Sequence, residues 1–158
     1  MSARLDRSGV IVSCPQCRRA NRIAFDALGK TTRCGQCRTP IGAPDSPIEV
    51  TDAAAFDSAA AGALPLIVDF WAPWCGPCKM VAPELERVAS ANAGRYLVLK
   101  VNTDEQTDLA SRFRIRSIPT LALVVQGREV DRLAGARPAP EIEAFAARAL
   151  ASHDRRAS

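Results

Sequence analysis

The 158-residue sequence has no apolar run approaching the roughly 18 residues that a membrane-spanning helix requires. No secretory leader is expected either. Arg4, Asp6 and Arg7 are followed by only Val10, Ile11 and Val12 before polar residues resume, so no signal peptide is expected and a cytoplasmic location is. Charge of neither sign dominates. The formal net charge is +4, with 8 Lys/Arg against 3 Asp/Glu in residues 1–45 and 13 against 14 in residues 46–158. A basic N-terminal piece could attract nucleic acid, but its one aromatic residue, Phe25, gives no stacking platform, so no nucleic-acid partner is expected. Nor is there an internal repeat, apart from a recurring Cys-x-x-Cys.

What is present is six cysteines in three such pairs. In a reducing compartment they point to metal binding or catalysis before structural disulfides. Cys14-Pro15-Gln16-Cys17 and Cys34-Gly35-Gln36-Cys37 are separated by 16 residues, inside the spacing of a four-cysteine zinc site. A two-residue gap lets both sulfurs of a pair face one tetrahedral ion, and Gly35 can supply the positive φ of such a turn. Bound thiolates would also offset much of the local basic charge. Two disulfides without metal are the alternative. A piece of about 45 residues is near the size at which metals or disulfides become necessary, and Ile11, Ile23, Phe25 and Leu28 are few anchors. The expectation is one structural zinc and a ribbon over residues 1–38. Length and 47% hydrophobic content allow one ordinary domain beside it. Residues 39–47, with Pro40, Pro44 and Pro47, read as a semi-rigid linker.

The second domain, residues 48–151, is organised around the third pair. Leu66 to Trp71 is a short apolar run bounded by Pro65 and Pro73, which suits a buried central strand. From Cys78 onward Val81, Leu85 and Val88 recur at helical steps, with Lys79, Glu84, Glu86 and Arg87 on the other face. Cys75 and Cys78 therefore stand at the start of a helix. Unpaired N–H groups and the macrodipole favour a thiolate there, lowering the Cys75 pKa from the usual value of about 8.5. Cys75 is the expected nucleophile toward a substrate disulfide, and Cys78, one turn on, the resolving thiol.

Around this unit the pattern predicts a strand at Ile48–Val50, a helix capped by Thr51 or Asp52 and ended by Gly62, and a helix after Cys78 ended by Gly94. A strand at Tyr96–Val101 follows, interrupted by Lys100, then a short helix from Asp104. A hairpin, Leu121–Val125 and Glu129–Ala134, precedes a last helix with Ile142, Phe145, Ala149 and Leu150 inward. Residues 152–158 are expected to fray.

The stretch Trp74-Cys75-Gly76-Pro77-Cys78-Lys79 resembles the active site of the thioredoxin family, and the order of elements resembles its layout from Ile48 to about Ala151. The fold class is then α/β: a central mixed sheet flanked by helices, preceded by the four-cysteine ribbon. The resemblance also assigns roles. Asp69, a carboxylate in an apolar strand, matches the family's buried aspartate; burial should raise its pKa, and it would take the proton from Cys78. A hydrogen-bonded core residue without a catalytic role is the alternative. Lys100 matches the family lysine near that aspartate, though it could instead snorkel to solvent. Pro119 matches the family's cis-proline, beside which Ile118 would pair with substrate backbone. Gly135 matches the last loop beside the dithiol, or is an ordinary turn glycine. Trp74, Gly76 and Pro77 complete the substrate-facing surface.

With the cysteine pairs in front, the whole chain is similar to the bacterial zinc-ribbon thioredoxins of the thioredoxin 2 type. That resemblance implies a protein-disulfide reductase, monomeric, without an organic cofactor, recharged by thioredoxin reductase and acting on disulfide-containing proteins. A redox-regulated chaperone or protein-binding module is the competing reading. An oxidase or isomerase is disfavoured, because those relatives usually carry histidine between the cysteines, where this chain has Pro77.

Overall fold

In the computed structural model, which describes residues 3–157, the chain opens with three short antiparallel strands, β1 (Arg4–Leu5), β2 (Gly9–Ser13) and β3 (Ala20–Ala24). Met1, Ser2 and Ser158, which the expected ribbon and tail include, lie outside those residues. A 3-10 turn at Phe25–Ala27 leads to a second pair, β4 (Thr32–Arg33) and β5 (Pro40–Ile41). The two cysteine turns are built alike. Cys14 N–H donates to Arg19 O and Arg18 N–H to Cys14 O, both at 2.9 Å; Cys34 N–H donates to Thr39 O at 2.9 Å and Arg38 N–H to Cys34 O at 3.1 Å. The left-handed residue in each is the arginine after the second cysteine, Arg18 (φ 68°) and Arg38 (φ 65°), not Gly35. The chain reverses after the pair, so that is where the positive φ falls.

Pro40 and Ile41, expected in a linker, instead pair with Arg33 and Thr32, and Ile41 is buried. The ribbon also packs directly against the second domain. Val10, Ile23, Phe25, Leu28 and Ile41 join Ile48, Val50 and Phe56 in one continuous apolar core. Ala63 N–H donates to Phe25 O at 3.3 Å, and Arg7 pairs with Asp52 at 3.0 Å. The physical reason is the short chain leading into the second domain, whose first strand, β6 (Ile48–Glu49), lies against β1. Apolar residues on both sides then close over each other.

Asp52 caps α1 (Ala53–Ala60), its side chain accepting from Ala54 N–H at 3.2 Å. Next come β7 (Leu66–Trp71), α2 (Gly76–Ala91), β8 (Leu97–Asn102) and α3 (Thr107–Arg112). Asn92, not Gly94, ends α2, since its buried amide donates back to Val88 O at 2.8 Å. The hairpin β9 (Thr120–Val125) and β10 (Arg128–Ala134) turns on Gln126 and Gly127, both with positive φ as a tight hairpin turn demands. The sheet order is β10-β9-β7-β8-β6, with β6, β7 and β8 parallel and β9 and β10 antiparallel to their neighbours. Thus β8 lies between the two strands that α1 connects.

Alternation along β7 divides the core. Leu66, Val68 and Phe70 pack with Phe56, Leu109 and Phe113 on the α1 and α3 side, whereas Ile67 packs with Val81 and Leu85 of α2 and with Ile142 and Phe145. The last two belong to α4 (Ala139–Ala157), which does not fray at residue 152. No glycine or proline stops it after Pro140, and Arg155 and Arg156 suit the negative end of its dipole. His153 and Arg156 line a surface hollow with Arg128 and Glu129 of β10.

Candidate functional site

Strand β7 delivers the dithiol. After Trp71 the chain turns through Ala72 to Trp74 and enters α2 with Cys75 as its N-cap, in extended conformation (φ −89°, ψ 111°). The Cys75 sulfur accepts from Cys78 N–H at 3.2 Å, so an orphan donor of the first helical turn points at sulfur. Pro77 fits because the first turn needs no N–H from it. Cys75 and Cys78 form a disulfide, with Cα atoms 5.3 Å apart. Each residue is only 4% exposed, so coverage does not distinguish them. Position at the helix end does.

Around the disulfide, the Cys75 sulfur lies 3.8 Å from the Ile118 carbonyl oxygen, and the Ile118–Pro119 peptide is cis. Gly135, with φ 87°, donates its N–H to Pro119 O at 2.9 Å, tying the last loop to this turn. Trp74 is 69% exposed and its indole N–H donates to Asp104 at 3.0 Å. With Thr103, Ile115, Arg116 and Ile118 it lines a hollow of about 190 Å³ beside the disulfide. Gly76 has open space where a Cβ would stand.

Asp69 is 1% exposed, and among the described residues neither carboxylate oxygen has a hydrogen-bond partner. Burial raises its pKa to about 7, with Lys100 pulling it down and Glu49 pushing it up. Its register partner on β8 is Lys100, whose Nζ stands 4.5 Å from the centre of the Trp71 ring. Lys100 is half-buried rather than extended into solvent.

This geometry has close relatives. A family model described as Thioredoxin matches residues 47–148. The chain belongs to the thioredoxin family. It is 48% identical over 89 residues to Thioredoxin 1 of Synechococcus elongatus, covering 56% of this chain and 83% of that one. It is 37% identical over 135 residues to Thioredoxin C-3 of Corynebacterium nephridii, covering 85% and 91%, an alignment long enough to run into the ribbon. Among solved structures, the N21Q mutant thioredoxin from Halobacterium salinarum superposes with a TM-score of 0.61 at 30% identity, over 66% of this chain and 91% of that one. The protein is a thiol-disulfide oxidoreductase of the thioredoxin type, a protein-disulfide reductase, and none of its described helices is long and apolar enough to cross a membrane.

Ahead of the thioredoxin fold, the sulfurs of Cys14, Cys17, Cys34 and Cys37 all lie within 4.8 Å of one another. Cys14 and Cys37 are 3.5 Å apart, Cys17 and Cys34 3.6 Å, and all four are free thiols. A tetrahedron with metal–sulfur bonds of about 2.3 Å has edges near 3.8 Å, so the donor set fits a soft tetrahedral ion. Donors point at two of the sulfurs: Gln16 N–H at Cys14 at 3.4 Å, Gln36 N–H at Cys34 at 3.4 Å, and the Asn21 amide at Cys34 at 3.5 Å. Backbone N–H groups of Cys37 and Gln36 hold the Cys34 thiol down at about 6.

Sequence reasoning missed Glu49 and Asp104. Trp71 Nε1–H donates to both Glu49 carboxylate oxygens, at 3.1 and 3.2 Å. The signal was the same one that singled out Lys100, a charged residue between apolar neighbours in a strand.

Proposed function

We propose that this thioredoxin reduces disulfides of cytoplasmic proteins as a monomer, receives its electrons from thioredoxin reductase, and carries one structural zinc on Cys14, Cys17, Cys34 and Cys37, as the thioredoxin 2 type does. The observation that carries the reading is Cys75 at the N-cap of α2 with Cys78 one turn behind it, on a strand that buries Asp69.

In the reduced protein the Cys75 thiolate attacks one sulfur of a substrate disulfide. The substrate S–S bond breaks, a Cys75–substrate bond forms, and the released thiolate takes a proton from solvent. Asp69 accepts the proton of Cys78, tuned for this by burial and by Lys100. The Cys78 thiolate then attacks Cys75, releasing the substrate as a dithiol and leaving the Cys75–Cys78 disulfide; two electrons have passed to substrate. Ile118 and Pro119 offer backbone to an extended substrate segment, Gly135 leaves room for it, and Trp74, Gly76 and Pro77 form the surface it rests on. Backbone recognition of this kind needs little side-chain identity, which supports a broad range of substrates.

Zinc, when bound, supplies the cross-link between the two cysteine turns, so the ribbon depends on it for structure and not for the reduction itself. Oxidants that attack its ligands would release it and give the ribbon a redox-sensing role.

The test is insulin reduction driven by NADPH and thioredoxin reductase, with wild type and Cys75→Ser. Turnover by wild type and loss of at least a thousandfold in the variant is expected. Full activity in Cys75→Ser would instead favour a binding or chaperone module with an incidental dithiol.

A further inference from the structure

Three charged residues stand side by side across three parallel strands. Glu49 of β6 and Asp69 of β7 are both register partners of Lys100 on β8, so one lysine lies between two acidic residues on the same face of the sheet. Their surroundings differ. Asp69 is buried with no hydrogen-bond donor among the described residues, while half-buried Glu49 receives the Trp71 indole N–H on both oxygens. Trp71 lies two residues beyond Asp69, and its ring faces the Lys100 ammonium. Trp71 is thus fixed by Glu49 at its N–H and engages Lys100 with its ring.

We propose that Glu49 is a positioning residue for the Asp69 proton step, holding Trp71 and the Lys100 ammonium on its own side and thereby setting how readily Asp69 keeps a proton. Two effects act in the same direction. An ionised Glu49 repels a second negative charge on Asp69, and it competes for Lys100, the cation that acts on Asp69 among the described residues. The direction of each influence agrees with the titration behaviour of Asp69, which Lys100 lowers and Glu49 raises. The other charges near Glu49 are few. Burial raises its pKa, Trp71 and Lys100 lower it, and Glu105 raises it. On the ribbon side β1, which packs against β6, carries an exposed Arg4, and Arg7 is held by Asp52. Glu49 also sits in the strand against which β1 packs, next to the join between ribbon and thioredoxin fold.

The role rests on Asp69 taking the Cys78 proton, but its test reads the carboxyl groups directly. Carboxyl carbon NMR titrations would be run on full-length reduced protein, wild type and Glu49→Gln, which keeps an acceptor oxygen for Trp71. The apparent pKa of Asp69 should fall by about one unit or more in the variant. In wild type the Asp69 resonance should also register the titration of Glu49, because interacting groups titrate as a pair. The acid limb of the turnover profile should move down with Asp69. An unmoved or raised Asp69 in folded Glu49→Gln would overturn the proposal. So would independent single-step titrations of the two carboxyls in wild type, a result that needs no variant to fold. Wild-type turnover by Asp69→Asn would sink the proton-transfer role of Asp69 while leaving the measured coupling to Glu49 intact, so the two failures are distinguishable.

Discussion

Phe25 of the ribbon packs against Gly62 at the end of α1 so closely that a Cβ on Gly62 would lie 2.7 Å from that of Phe25. Phe25 is 6% exposed, and its carbonyl also accepts from Ala63 N–H. A ribbon seated this way is part of the core of its neighbour. Such a contact bears on how the chain unfolds, because separate modules would melt separately.

Phe25→Ala should therefore cost about 3 to 5 kcal/mol and lower the midpoint of one shared transition. Thermal unfolding followed by both far-ultraviolet circular dichroism and tryptophan emission checks this, since Trp71 and Trp74 report only the thioredoxin fold. Two separate transitions, with the tryptophan-detected one unmoved by the substitution, would return the ribbon to the status of an appendage.

The reach of sequence reasoning followed the range of the contacts involved. Strand β7 and helix α2 were legible because everything that shapes them is local: an apolar run between prolines, a Cys-Gly-Pro-Cys turn, then apolar residues at helical steps. Asp69 and Lys100 were legible as charges inside apolar strands. The seat of the ribbon was not, because Val10 and Phe25 carry no periodicity that names their partners, and those partners lie some forty residues on. For the same reason the partnership of Glu49 with Trp71 escaped, since it exists only once β8 has come between β6 and β7. The far end of α4 was misread by weighing apolar anchors over an alanine-rich stretch with no stop residue.

Asp69 leads to a pH prediction with a definite sign. Its carboxyl is raised from 3.8 in the unfolded chain to about 7 in the folded protein, so the folded state binds the proton more tightly. The contribution of this group to stability is full below pH 4 and is lost as pH rises toward and through 7. Asp69→Asn, neutral throughout, escapes that loss. Its stability relative to wild type should thus rise between pH 5 and pH 8, by a few kcal/mol at most, while disulfide turnover near neutral pH falls. Urea unfolding of both proteins at the two pH values measures the first effect. Parallel stability profiles would show that Asp69 is ionised in the folded state at both.

Asn21 offers the last prediction, because one side chain ties the two cysteine turns together. Its amide N–H donates to Arg19 O at 2.9 Å and toward the Cys34 sulfur at 3.5 Å, while its oxygen accepts from Gly35 N–H at 3.0 Å. The first contact orders the turn of Cys14 and Cys17, and the other two order that of Cys34 and Cys37. Side chains that orient ligands in this way are worth about 10- to 100-fold in metal affinity. Asn21→Ala should therefore release zinc to a competing chromogenic chelator at a chelator concentration lower by that factor, with Cys75 and Cys78 untouched. Asn21→Asp, which keeps an acceptor for Gly35 N–H but loses the donor toward Cys34 and adds a charge near four thiolates, should be at least as impaired. Retention of zinc by both variants at wild-type strength would show that the cysteine turns hold their shape without Asn21.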